Sequence, residues 1–220
     1  MAFNYRGVST SSGSSSRHGL ILDAITALNF LTAPSNLGGE GLPPHAVALL
    51  GHSLGGGVAP EAASFFPGVT VISDRSFSRL SDAACAMMAR LSPRVHAPLR
   101  FLMARLACWE LDAARYWRSL PPECAKLLVY APGDQVIKTE AQLVVGLAGR
   151  GYLPCTPPQS AAEAAAIVGT VMEMEAGADH NREFTAAEVH RVVKLLDAAM
   201  VPPRVGSVGG VWRPVLPQKI

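Results

Sequence analysis

A chain of 220 residues with 49% hydrophobic and 16% charged residues carries enough apolar material for one sizeable core, and too much of it for a disordered segment. A formal net charge of +2 leaves no basic footprint for nucleic acid. Cys85, Cys108, Cys124 and Cys155 lie far apart with no C-x-x-C pair, a pattern of buried thiols in a reducing compartment rather than of a disulfide framework.

The opening, "MAFNYRGVSTSSGSSSR", lacks the apolar stretch of a secretory signal. No apolar run approaches the ~18 residues of a spanning helix, so a cytoplasmic location is expected. Residues 2–5 read as a short strand broken at Arg6-Gly7, and "STSSGSSS" at 9–16 as a polar loop. Apolar residues at Leu20, Ile21, Ala24, Ile25, Leu28 and Leu31 have helical spacing. Residues 46–50 form an all-apolar run bounded by glycine, as a strand buried on both faces would. A helix is predicted from about Leu54 to Phe65, stopped by Pro67-Gly68, and a β-branched strand over 69–74. Residues 81–119 read as two or three helices broken at Pro93 and Pro98. "KLLVYAPGD" at 126–134 is a buried strand ending in a turn, and "TVMEMEAG" at 170–177 a half-exposed edge strand. Residues 184–200 form a last helix, with Thr185 and Glu188 at capping-box spacing. Strands alternating with helices predict an α/β architecture: a mostly parallel sheet with helices on both faces.

The chemistry concentrates at Gly51-His52-Ser53-Leu54-Gly55, between a predicted strand and a predicted helix. That is the context of a nucleophile elbow, where a serine in a strained conformation needs small residues two before and two after it. The Leu54 N–H is placed to stabilise an oxyanion beside the Ser53 hydroxyl. Glycine-rich strand-to-helix turns also bind phosphates or simply pack closely, so the motif needs partners. A serine hydroxyl requires a base oriented by an acid. His180, in the loop "GADHNRE" after the last strand, is the candidate base, ahead of His96 in the helical region and His190 inside the last helix. Asp134, in the turn after residues 126–131, is the candidate acid; Asp74, at the end of the preceding strand, is the runner-up. Asp179 adjoins His180, and neighbours in a loop rarely face each other.

From "FNYRGVS" through "GHSLGG" to His180 and the last helix, the chain resembles the α/β-hydrolase superfamily. "ISDRSFSRLSDAA" at 72–84 and "WELDAA" at 109–114 are similar to a lipid-directed, lipase-like branch, the alpha/beta-hydrolase-domain proteins and their bacterial relatives. The resemblance implies a single domain over 1–220, Ser53 as nucleophile, Asp134 as acid, His180 as base and residues 76–122 as a helical cap. It also implies a chain that opens at what resembles the fourth strand, an N-terminally incomplete α/β-hydrolase fold lacking its first strands. The loop that normally supplies the second oxyanion N–H would be absent, with the Arg6–Ser9 turn as a substitute. Residues 46–50 would then be an uncovered apolar edge, or would pair with residues 2–5.

The expected activity is hydrolysis of a carboxylic ester or thioester, on a small-molecule acyl or lipid substrate, through an acyl-enzyme on Ser53. The reading involves no cofactor, no metal and no nucleic-acid partner. The basic, apolar cap offers a peripheral contact with a lipid surface; ordinary packing over the active site is the simpler account. The alternative is a catalytically impaired or non-catalytic fold that acts in binding.

Overall fold

The computed structural model describes residues 1–88, 109–121, 123–149 and 169–200. Among the described residues, four parallel strands form one sheet in sequence order: β1 (Ala48–His52), β2 (Thr70–Asp74), β3 (Lys126–Tyr130) and β4 (Thr170–Glu173). All five residues of β2 are buried, whereas β1 and β4, at the two edges, are largely exposed or half-buried. Strand β1 is thus not the strand buried on both faces that residues 46–50 suggest: an edge strand has a neighbour on one side only. Helix α1 (Arg17–Thr32) precedes β1. Parallel strands need long crossovers, and these carry α2 (Leu54–Ala63) between β1 and β2, α3 (Leu80–Met88) and α4 (Ala113–Ser119) between β2 and β3, and α5 (Leu143–Leu147) between β3 and β4, while α6 (Ala186–Ala199) follows β4.

Two apolar cores lie on opposite faces of the sheet. The larger joins α1, α2 and α4 through Ile21, Leu28, Val58, Ala62 and Trp117 to Val71 and Leu128. The smaller sets Val192, Leu195 and Leu196 of α6 against Ile72, Val129 and Met172. Each fully buried large side chain contributes about 1.5–3 kcal/mol relative to exposure.

Local chemistry sets the element ends. Helix α1 starts three residues before the apolar pattern, because the Ser16 hydroxyl caps it by accepting from the Gly19 N–H at 3.0 Å. It ends where Pro34 forces Ala33 into extended backbone. Helix α2 contains Pro60, whose ring cannot donate to the Gly56 carbonyl one turn earlier; the buried Ser73 hydroxyl of β2 donates to that carbonyl instead, at 3.3 Å. Helix α6 opens with the Thr185–Glu188 capping box, both of its hydrogen bonds formed.

Residues 2–5 are not a strand. Among the described residues no strand pairs with them, and the chain instead turns at once: Val8 donates to the Tyr5 carbonyl (3.0 Å) and Gly7 to that of Ser12 (3.1 Å). Arg6 is tied to Asp23 through its backbone N–H (2.8 Å) and its guanidinium (2.9 and 2.6 Å). Pairing of 2–5 with β1 therefore does not occur, and among the described residues β1 keeps one edge unpaired. Beside that edge runs an apolar groove of ≈ 570 Å³, bounded by residues 1–5, α1 and the start of α2.

Much of the expected cap, including Pro93, Pro98 and His96, lies outside the described residues. Its described ends pack into the main core: Phe77, Leu111 and Trp117 are buried there, and α4 lies on α2. No helix among the described residues is long and apolar enough to cross a membrane.

Candidate active site

In a parallel sheet all carboxyl ends point the same way, so the residues that follow successive strands gather along one edge. Ser53 follows β1, Asp74 and Arg75 close β2, Asp134 follows β3, and His180 follows β4.

The turn at Ser53 is strained. Its φ is +52° and ψ −113°, a conformation costing of order 1–3 kcal/mol for a residue with a side chain. Both of its backbone groups are held: its N–H donates to the Asp74 carbonyl (2.9 Å), and its own carbonyl accepts from the Ser76 hydroxyl (2.8 Å) and the Gly56 N–H (3.0 Å). Gly51 must be glycine, since a Cβ there would stand 2.1 Å from the Gly55 carbonyl oxygen. Gly55, the other glycine of the motif, has room: the nearest atom to a Cβ would be the Tyr5 hydroxyl at 3.8 Å. The tight positions after the serine are Gly56, where a Cβ would fall 2.6 Å from that of Ser76, and Gly57, where it would fall 2.7 Å from the Phe77 ring. The glycine run thus lets α2 approach β2 and Phe77.

His180 and Asp134 are buried, at 5% and 4% exposure, and Ser53 is partly exposed. His180 Nε2 lies 2.8 Å from Ser53 Oγ, and His180 Nδ1 lies 2.8 Å from Asp134 Oδ2. A carboxylate can only accept, so Nδ1–H donates to Asp134 and Nε2 is left to accept the Ser53 hydroxyl proton. The other Asp134 oxygen accepts from the N–H groups of Val136 (2.8 Å) and Ile137 (2.9 Å), which fixes the carboxylate in its turn. The arrangement can take a proton from Ser53 and hold the resulting imidazolium against a fixed negative charge.

Asp74 is engaged elsewhere. It accepts from His52 Nδ1 (2.8 Å) and, in a two-pronged contact, from Arg75 Nε (2.9 Å) and Nη2 (2.8 Å). Burial pushes its carboxyl up, but the hydrogen bonds and charges of His52 and Arg75 outweigh this and hold it below the usual carboxylate range. His52 and Arg75 were not marked by the sequence; the composition of "ISDR" carries no sign that an arginine beside an aspartate turns inward.

Leu54 is the first residue of α2, so its N–H belongs to the first turn, which has no carbonyl of an earlier turn to meet. The Arg6–Ser9 turn offers less than expected: the N–H groups of Arg6, Gly7 and Val8 are all spent on other acceptors. His190 is exposed on α6. No cluster of His, Cys, Asp and Glu among the described residues could hold a metal ion.

Comparison with known proteins agrees with this architecture. The esterase Pf2001 of Pyrococcus furiosus superposes with a TM-score of 0.60 at 18% identity, over 91% of this chain and 69% of the esterase. An alpha-beta hydrolase from Vibrio vulnificus gives 0.59 at 20% identity, over 89% of this chain and 61% of its own. Both likenesses are of fold: an α/β-hydrolase-like sheet with its surrounding helices. No curated protein sequence matches. The family model described as Chlamydia CHLPS protein (DUF818) matches residues 1–145, and the chain belongs to that family.

Proposed function

We propose that this protein is a serine hydrolase that cleaves carboxylic esters or thioesters of acyl or lipid substrates. The observation that carries the reading is the continuous relay from Ser53 Oγ through the His180 imidazole to Asp134, each contact 2.8 Å, with the serine on a strained strand-to-helix turn. His180 removes the hydroxyl proton as Ser53 attacks the substrate carbonyl, while Asp134 holds the ring in the required tautomer. The Leu54 N–H faces the developing oxyanion. His180 then gives the proton to the leaving alcohol or thiol, and a water molecule, activated by the same imidazole, releases the acid. The fold shared with the Pyrococcus furiosus esterase is compatible with this chemistry. The apolar character of residues 76–122 suits an acyl or lipid substrate of the lipase-like branch.

The test is a fluorophosphonate probe, followed by peptide mapping, together with hydrolysis of a series of p-nitrophenyl esters of increasing chain length. Labelling at Ser53 and ester turnover are expected. A folded protein that neither labels nor turns over would leave the binding reading.

A further inference from the structure

Arg75 is the least ordinary residue near the relay that the mechanism above does not use. Its guanidinium is buried, at 5% exposure, and its φ is +46°, a conformation side chains disfavour. Its backbone is pinned, the N–H donating to the Val129 carbonyl of β3 at 2.8 Å. The side chain reaches in two directions. Nε and Nη2 fork onto the two Asp74 oxygens at 2.9 and 2.8 Å. Nη1 donates to the backbone carbonyls of Asp179 (3.1 Å) and Arg182 (2.5 Å), more than 100 positions on, and the charge sits 5.4 Å from the centre of the Phe184 ring.

Those two carbonyls bracket His180. The loop from β4 to α6 has other ties. Met174 N–H donates to the Tyr130 carbonyl (2.9 Å), and the Glu175 N–H (3.0 Å) and the Arg182 guanidinium (2.7 Å) both reach the Glu188 carboxylate of α6. The Ala178 N–H and Asn181 N–H close turns on the Glu175 carbonyl and Asp179 Oδ1, both 3.1 Å. Met174 and Ala178 also pack in the smaller core, which anchors the start of the loop, but none of these hydrogen bonds ties the backbone on either side of the imidazole to the sheet. The Asp134 and Ser53 contacts reach only the imidazole. Arg75 grips the backbone on both sides of it.

We propose that Arg75 is a positioning residue whose buried guanidinium clamps the His180 loop onto the end of β2 and thereby holds the imidazole between Ser53 and Asp134. Asp74 takes part as the anchor of the clamp rather than as the acid of the relay. An arginine is needed because one planar group must serve a carboxylate and two carbonyls at once; a lysine ammonium, a point donor on a flexible stem, cannot span them. Misplacing a base by a fraction of an ångström is costly to proton transfer but leaves substrate binding alone. The consequence for catalysis rests on the serine hydrolase reading; the clamp on the loop does not.

The experiment compares wild type with Arg75→Met and Arg75→Lys in the full chain. Circular dichroism checks folding, and amide hydrogen exchange is read at 178–184 against the strands at 71–74 and 126–130. Fluorophosphonate labelling of Ser53 and kcat and KM on one p-nitrophenyl ester are also measured. Expected are faster exchange confined to 178–184 in both variants, labelling and kcat lowered by about tenfold or more in Arg75→Met with KM within about twofold, and partial recovery in Arg75→Lys. If Arg75→Met does not fold, Arg75→Lys decides: exchange at 178–184 equal to wild type overturns the clamp. A folded Arg75→Met with unaltered exchange overturns it as well. If wild type itself neither labels nor turns over, the hydrolase reading fails, and the exchange comparison still decides the clamp.

Discussion

The rings of His52 and His180 lie with their centroids 4.9 Å apart and tilted by 42°, yet each is held by a different aspartate, His52 by Asp74 and His180 by Asp134. Two histidine–aspartate pairs thus stand side by side at the carboxyl edge of the sheet, and only the second reaches Ser53 Oγ.

The two aspartates should therefore fail differently. Asp134→Asn leaves the geometry nearly intact and should lower kcat on the order of 10⁴, since the imidazole loses the charge and the tautomer control. Asp74→Asn leaves the buried Arg75 without its counter-ion and should destabilise the fold by about 3–5 kcal/mol. Ser53→Ala should end both turnover and labelling while keeping the fold. Kinetics and urea unfolding on the three variants check this; a larger kcat loss from Asp74→Asn than from Asp134→Asn would reverse the roles.

The glycines of the motif should differ as sharply. Gly51→Ala drives a Cβ into the Gly55 backbone, an immovable obstacle, and should disrupt the turn. Gly55→Ala meets nothing nearer than 3.8 Å and, lying in a helix, should be neutral or stabilising by about 0.5–1 kcal/mol. Thermal unfolding of the two variants is the measurement. Equal losses would mean that the turn relaxes in ways the packing does not suggest.

Stability should depend on pH through Glu188. Burial raises its carboxyl, but the Arg182 guanidinium and the N–H groups of Glu175 and Thr185 outweigh this and draw it from 4.5 down to about 2. The unfolded chain therefore binds this proton first on acidification. The contribution of Glu188 is complete above about pH 4.5 and is lost as pH falls toward 2. In urea titrations the gap between wild type and Glu188→Gln should narrow over that range; a constant gap would show that the carboxylate charge is not what matters.

The unpaired edge of β1 makes the fourth prediction. A short apolar edge strand with open backbone groups tends to pair with another chain, and Leu50 on it is 51% exposed. The purified chain should self-associate in light scattering, and Leu50→Lys should reduce this. A wild type that stays monomeric at high concentration would show that the edge is protected.

Much of this molecule could be read from local pattern. Residues 46–50, 126–131 and 170–177 carry strand signals, and the positions just after them draw attention to Ser53, Asp134 and His180 because a parallel sheet gathers its strand ends. The boundaries moved where a side chain intervened, as Ser16 does for α1. Residues 2–5 misled because β-propensity is realised only in a pairing, and they stand across the groove from the open edge of β1 without pairing to it. Gly56 and Gly57 escaped notice because their constraint comes from Ser76 and Phe77, which the elbow motif does not mention. Arg75 was illegible for the same reason: its partners Asp179 and Arg182 lie beyond any window in which periodicity operates.

The relay also has an order of assembly. Ser53 and His180 are 127 positions apart, and His180 reaches the serine only once the fourth strand has joined the sheet. Contacts of such long sequence separation form late, because closing the intervening chain costs entropy before the contact returns anything. During synthesis the serine therefore emerges, and its turn is built, well before the residue that could activate it. A nascent chain or a truncated product ending before β4 would expose an inert hydroxyl. On the serine hydrolase reading, activation of Ser53 would then coincide with completion of the sheet.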